Sequence, residues 1–216
     1  MIKNSTILDG NDIFKNSYFK KHEEELLDLA QNGQHPKALF IGCADSRVVP
    51  NLITQTAPGE LFVLRNVGNF VAPYKIDEDF HSTASGIEYA VSVLNVKEII
   101  ICGHTHCGAI ASLYADIDDK YLAHTKKWLS LGEKAKSLAL LASNDTLKEE
   151  ELLRLTEKLS VISQIENLLT YPAVKERVTR DEIHIHGWIY DIVSGNIEYY
   201  DPDSSKFHSL SKIKGE

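Results

Sequence analysis

Short, uniformly apolar runs alternate along this chain with longer segments of helical period. Ala38-Leu39-Phe40-Ile41, ending at Gly42-Cys43, has the length of a buried strand, as does Leu61-Phe62-Val63-Leu64 after the turn signal Pro58-Gly59. Glu98-Ile99-Ile100-Ile101-Cys102 reads as a third strand, again without polar alternation. Residues 11–32 form an amphipathic pattern, with Phe14, Tyr18, Leu26, Leu29 and Ala30 among charges such as Glu23, Glu24 and Glu25, and Gly33 as the stop. A helix over 82–95 carries Ile87, Ala90, Val91 and Leu94 on one face, and two more are expected over about 121–142 and 146–170, with Asn144 to Thr146 as break and cap. In the last of these, Leu152, Leu155, Leu159, Ile162, Ile165 and Leu169 read as a packing stripe. Ile183 to Tyr200 reads as a strand, a turn at Ser194-Gly195-Asn196 and a returning antiparallel strand.

Strands apolar on both faces, separated by helices, are the mark of parallel pairing covered from both sides. The expected fold is α/β: a central, mostly parallel sheet with an antiparallel edge strand, flanked by helices, with an N-terminal helical arm. No repeat, linker or low-complexity tract divides the chain, so 1–216 is expected to be a single domain, with about 1–35 as the arm. In such sheets ligands collect outside the carboxyl ends of the strands.

Composition narrows the function classes. A net charge of −8 leaves no basic stripe to neutralise phosphates, which argues against nucleic acid as a partner. No run approaches the ~18 apolar residues of a membrane span, and the start, Met1-Ile2-Lys3-Asn4, lacks the apolar core of an export signal. Three cysteines in such a chain suit a reducing compartment, where thiols bind metal rather than pair, so the expected location is cytoplasmic.

Two segments carry the chemistry, and both follow strand ends. Cys43-Ala44-Asp45-Ser46-Arg47 offers a thiol, a carboxylate and a guanidinium; His104-Thr105-His106-Cys107-Gly108 offers an imidazole and a second thiol three residues apart. Two Cys and one His match a Zn²⁺ site of catalytic type, with three protein ligands and a fourth position for water. Asp45 is the local candidate for a fourth ligand in a closed state. Cys102 reads as core, His106 as turned away from the ligands, and His184 and His186 as hydrogen-bonded residues on one strand face rather than a second metal site.

The chain resembles the β-class carbonic anhydrases. The likeness is carried by Cys43-Ala44-Asp45-Ser46-Arg47-Val48, Pro58-Gly59-Glu60, Arg65-Asn66-Val67-Gly68-Asn69, Ile87-Glu88-Tyr89-Ala90, Gly103-His104-x-x-Cys107-Gly108 and His186-Gly187-Trp188, in order over roughly residues 10 to 200. It implies reversible hydration of CO₂ to bicarbonate by zinc-bound hydroxide, with one Zn²⁺ per subunit on Cys43, His104 and Cys107. Asp45 and Arg47 match the family's catalytic dyad. Gln34, Phe62, Val67, Gly68, Tyr89 and Gly108 match the substrate pocket, some of them reaching it from a neighbouring subunit of a homodimer or homotetramer. Zinc with two thiolates and one imidazole is formally neutral, so it acidifies water less than a three-histidine site would, and Asp45 held ionised by Arg47 supplies the missing help. The same carboxylate swinging onto the metal would close the site, and acid is expected to favour that state.

In family members with a separate inhibitory bicarbonate site, a Trp, an Arg and a Tyr form it. Arg65 and Tyr190 match here, but Phe40 stands at the Trp position without an indole N–H, so regulation by that route is not expected. Two other readings share these residues: hydrolysis of COS or CS₂ on the same scaffold, and a zinc-thiolate sensor without turnover. A sensor would have no need of a dyad beside an open metal position.

Overall fold

A computed structural model describes residues 6–77, 79, 81–117 and 120–210. Its centre is a six-stranded sheet made of β1 (Ala38–Cys43), β2 (Leu61–Asn66), β3 (Glu98–His104), β4 (His184–Tyr190), β5 (Ile197–Asp201) and β6 (Lys206–Ser209), in the order β2-β1-β3-β4-β5-β6. The first four strands are parallel; β5 runs antiparallel to β4 and β6 to β5. The antiparallel edge therefore has two strands where the hydrophobic pattern shows one. β6 follows a tight turn in which the Asp201 carboxylate accepts the Asp203 N–H at 3.1 Å and the Ser204 hydroxyl at 2.6 Å. Its four residues, Lys-Phe-His-Ser, are too short and polar to register as a strand.

The helices are α1 (Thr6–Phe14), α2 (Glu23–Asn32), α3 (Pro50–Thr54), α4 (Ser82–Glu88), α5 (Gly108–Ser112), α6 (Ala123–Leu129), α7 (Glu133–Ser143), α8 (Glu149–Leu168) and α9 (Pro172–Thr179). The expected helix over 11–32 is broken. Asn16 and Ser17 bond back onto the carbonyls of Asp12 (2.8 Å) and Ile13 (2.6 Å), the chain widens into a π turn over Lys15–Phe19, and α2 restarts after His22. The helix over 121–142 is split by a 3₁₀ turn at Ser130–Gly132, where Gly132 packs so close to Leu113 and Phe70 that a Cβ would overlap them. Asn144 and Asp145 adopt positive φ and end α7, while α8 starts four residues later with the Glu151 carboxylate accepting the Lys148 N–H at 2.9 Å.

Alternation along the strands divides the core. Leu39, Ile41, Ile99, Ile101 and Ile189 pack with Ile87, Ala90, Val161, Leu168 and Val174 from the helices, all buried. Ala38, Phe40, Ile100 and Cys102 form the opposite face, with Trp188 edge-on to Phe40 at 6.4 Å. Helix α8 departs from expectation: Leu152, Leu155, Leu159 and Ile162 are only half-buried, and its most buried residues include Thr156, Glu157, Ser160, Ser163 and Gln164. This polar stripe meets backbone that needs partners, as when the Gln164 Oε1 accepts the Val71 N–H at 2.8 Å. The close approach is made possible by Gly103, where a Cβ would stand 2.8 Å from Val161 Cγ2.

β1 and β3 are neighbours in parallel register, Gly42 opposite Cys102, so the residues that end them emerge at one end of the sheet. A third apolar cluster sits there, made of Cys43, Phe70, Cys107, Ala109, Ile110, Leu113 and Leu129.

Candidate metal centre

Cys43 is the last residue of β1 and His104 the last of β3, while Cys107 follows a turn and precedes α5. The turn doubles back because His106 takes a left-handed φ of 56°. Cys43 Sγ, Cys107 Sγ and a ring nitrogen of His104 lie within 4.8 Å of one another, and all three residues are buried. The His104 Nδ1–H donates to its neighbour Thr105 O at 2.9 Å, which leaves the Nε2 lone pair free. That Nε2 is buried with no hydrogen-bond partner among the described residues. An unpartnered buried nitrogen facing two thiols fits a soft, tetrahedral cation.

The thiols are not equivalent. The Cys107 side chain beside it pulls the Cys43 pKa below the ordinary range against the opposing effect of burial, and the Gly68 N–H donates to the Cys43 sulfur at 3.4 Å. The Cys107 pKa is pushed up by the Cys43 sulfur beside it and by burial. Cys102 is fully buried on the other sheet face, and burial raises its pKa to about 12; it is core, as its strand pattern indicates.

Asp45 and Arg47 form a forked pair. The Arg47 Nε donates to Asp45 Oδ1 at 2.9 Å, its Nη2 to Oδ2 at 2.7 Å, and the Arg47 backbone N–H to Oδ1 at 2.9 Å. These bonds, the side-chain ones first, hold the Asp45 carboxyl well below the usual range. Asp45 Oδ2 lies 3.9 Å from His104 Nε2, at the edge of the ligand cluster. Arg47 also reaches the His106 carbonyl at 3.1 Å, tying the two ligand segments together. Arg65 donates to the carbonyls of Cys43 (3.0 Å) and Asp45 (2.6 Å), so it braces the first segment from behind.

The expected pocket residues separate into two groups. Val67, Gly68 and Gly108 adjoin the ligands: the Trp128 Nε1–H donates to Val67 O at 2.7 Å, and Gly108 opens α5 directly after Cys107. Phe62 and Tyr89 pack on each other at 5.9 Å, and Phe62 belongs with the core around Leu39 and Ile41 rather than with Cys43 and Cys107. Gln34 is exposed between α2 and β1. His186 bonds Glu98 at 2.6 Å, as expected of a hydrogen-bonded strand residue, whereas His184 lies 3.9 Å from Asp181, beyond hydrogen-bond distance.

The sequence pattern missed the groups that hold the second ligand segment. The buried carboxylate of Glu157 accepts the Cys107 N–H at 3.0 Å and the Arg154 Nη2–H at 2.7 Å, and burial pushes its pKa up to about 7 against these bonds. On the other side the Thr105 hydroxyl donates to Asp191 at 3.0 Å. A signal for Glu157 exists: it is a charged residue in phase with Leu153, Val161, Gln164 and Leu168 on α8.

A family model described as carbonic anhydrase matches residues 38–197. A carbonic anhydrase of Synechocystis sp. is 39% identical over 197 residues, covering 90% of this chain and 70% of that protein. Among solved structures, the β-carbonic anhydrase CcaA superposes with a TM-score of 0.88 at 38% identity, covering 94% of this chain and 90% of that one. One of two tetrameric β-carbonic anhydrases from Sordaria macrospora gives 0.79 at 30% identity, covering 89% and 94%. With its mostly parallel sheet, its Cys-His-Cys cluster and these relatives, the chain belongs to the β-class carbonic anhydrases, a family of enzymes.

Proposed function

We propose that this site binds one zinc ion on Cys43, His104 and Cys107 and interconverts CO₂ and bicarbonate. The observation that carries the reading is the buried, unpartnered His104 Nε2 beside two thiols, with a carboxylate held by Arg47 at 3.9 Å. Zinc, when bound, supplies the Lewis acidity that makes water a nucleophile near neutral pH. The chain's own residues do the rest. Asp45 stays ionised in its fork with Arg47, so its oxygen accepts a hydrogen bond from the attacking water and points the water's lone pair at carbon. Because Arg47 holds both carboxylate oxygens, it also restrains Asp45 from turning onto the metal. Val67 and Gly68 wall the space beside the ligands with little polarity, which suits a linear, uncharged substrate.

The assembly follows from the exposed surfaces. No residue of the arm from Ile7 to Asn32 is buried, and Ile7 and Ile13 stand 84% and 69% exposed. A groove of about 460 Å³ on the same molecule is lined by Tyr74, Ile87, Tyr89, Val93, Tyr171 and Val174. We take the arm, about residues 1–35, to pack on a second copy of this single-domain chain; residues 1–5 lie outside the described residues. That contact would carry Gln34, Phe62 and Tyr89 toward the partner's metal. The tetrameric relative from Sordaria macrospora supports pairing of such dimers. Three unpaired cysteines support a cytoplasmic location, and no described helix is long and apolar enough to cross a membrane.

Stopped-flow CO₂ hydration on protein of measured zinc content tests the reading, with Asp45→Ala and Arg47→Ala alongside. Both variants should keep zinc and lose roughly 10²–10⁴-fold in rate, the range for a positioned proton-handling group. Zinc-loaded protein that hydrates CO₂ no faster than buffer would refute the activity. A fully active Asp45→Ala would refute the dyad alone.

A further inference from the structure

We infer that Glu157 is a positioning residue for the metal: its buried carboxylate holds the backbone of Cys107 so that the thiol faces Cys43 and His104. This rests on the zinc reading above. Cys107 lies in a short turn between β3 and α5, so nothing in regular secondary structure before it fixes its direction. Its N–H meets Glu157 Oε1 at 3.0 Å, fifty residues on in sequence. The same oxygen accepts from Arg154, one turn earlier on α8, at 2.7 Å, so the carboxylate is itself held in place. Glu157 is 3% exposed, and its other oxygen has no partner among the described residues, so the carboxylate has no solvent-facing role to play.

Backbone packing explains how a helix residue gets there. The missing side chain at Gly103, immediately before His104, lets Val161 close on β3. One turn of α8 back from Val161 is Glu157, delivered to the level of the ligand turn. A carboxylate here is costly to bury, and a plain core position would hold an apolar residue. A group that orients a ligand from behind typically governs metal affinity by about 10–100-fold.

The test is zinc affinity, read by competition with a chromophoric chelator, on unsubstituted protein, E157A and E157Q, each checked for folding by circular dichroism. E157A should bind zinc about 10–100-fold more weakly. E157Q, whose amide oxygen still accepts the Cys107 N–H, should stay within roughly threefold, and the ligand-field bands of its cobalt form should match those of the unsubstituted protein. Should E157A fail to fold, E157D decides, because its carboxylate is withdrawn by one methylene; a several-fold loss of affinity is expected. An E157A or E157D protein with unsubstituted affinity, even with a lowered melting temperature when metal-free, would make Glu157 merely structural and overturn the inference. So would an E157Q as weak as E157A. Unsubstituted protein that takes up no zinc would instead overturn the metal reading, and this inference with it.

Discussion

Gly68, whose N–H donates to Cys43 Sγ, has no room for a side chain. Its φ is +79° and it is buried, and a Cβ there would stand 2.8 Å from Phe70 Cζ and 3.0 Å from Ala109 Cβ. Phe70 is fully buried and Ala109 nearly so, so neither neighbour can move freely. Gly68→Ala therefore meets two costs. The left-handed backbone disfavours any Cβ by about 1–2 kcal/mol, and forcing a methyl into a filled space adds about 1–3 kcal/mol. A total near 3 kcal/mol corresponds to a fall of roughly 6–12 °C in melting temperature for a chain of this size. Gly108→Ala is the matched control: its φ is not positive and nothing lies within 4 Å of the new methyl, so a change within about 0.5 kcal/mol is expected. Thermal melts at one fixed protein concentration compare the two, since self-association shifts apparent stability. The Gly68 N–H that donates to Cys43 Sγ would also move, so Gly68→Ala should release zinc to a chelator faster. If Gly68→Ala melts within a degree of the unsubstituted protein, the close contacts and the backbone strain are not what they are argued to be.

Thiol chemistry and alkaline stability test the burial argument elsewhere. Zinc-loaded protein should react with a disulfide reagent at none of its three cysteines; removing the metal should open Cys43 and Cys107 to the reagent, and Cys102, fully buried on the other sheet face, should react only on unfolding. Peptide mapping that finds Cys102 modified in native protein would contradict this. Tyr171, 2% exposed and bonded to Ala72 O at 3.1 Å, has its pKa raised by burial from 10.0 to about 12. The folded chain thus keeps a proton that the unfolded chain loses, so stability is whole below pH 10 and falls as pH rises toward 12, by about 2–3 kcal/mol at most. Urea unfolding at pH 9 and pH 11 should show that loss, and Tyr171→Phe should remove much of it; an equal pH slope in both proteins would refute the assignment.

The ligands and the parallel strands were legible because their signals are local. Cys43 and His104 end apolar runs, and Cys107 lies three residues on, so spacing and strand register place them together without knowledge of the rest. What was hidden depends on partners far along the chain. Glu157 meets Cys107 across fifty residues and Thr105 meets Asp191 across a β connection, and neither pair has a sequence spacing to betray it. Helix α8 misled in a physical way: its leucines suggested the buried stripe, whereas the deepest face mixes Val161 and Leu168 with polar residues, two of which, Glu157 and Gln164, accept backbone N–H groups. The arm misled through Asn16 and Ser17, whose side chains bond the preceding turn and open it, an effect invisible to a hydrophobic period. Gln34, Phe62 and Tyr89 matched a family pattern, and one chain alone does not bring them to the metal segment.

The polar stripe of α8 has a further meaning. Glu157 grips the turn bearing one thiol, and Gln164, two turns further on, grips Val71 at the end of the segment that begins with Val67 and Gly68. A helix rises about 1.5 Å per residue, so these two grips sit about 10 Å apart on one stiff rod. The turn bearing Cys107 and the segment after Gly68 thus share a single ruler. Were that rod to slide or tilt, both would travel together, leaving their spacing unchanged, while any change that cuts one grip alone would shift the Cys107 turn relative to Gly68.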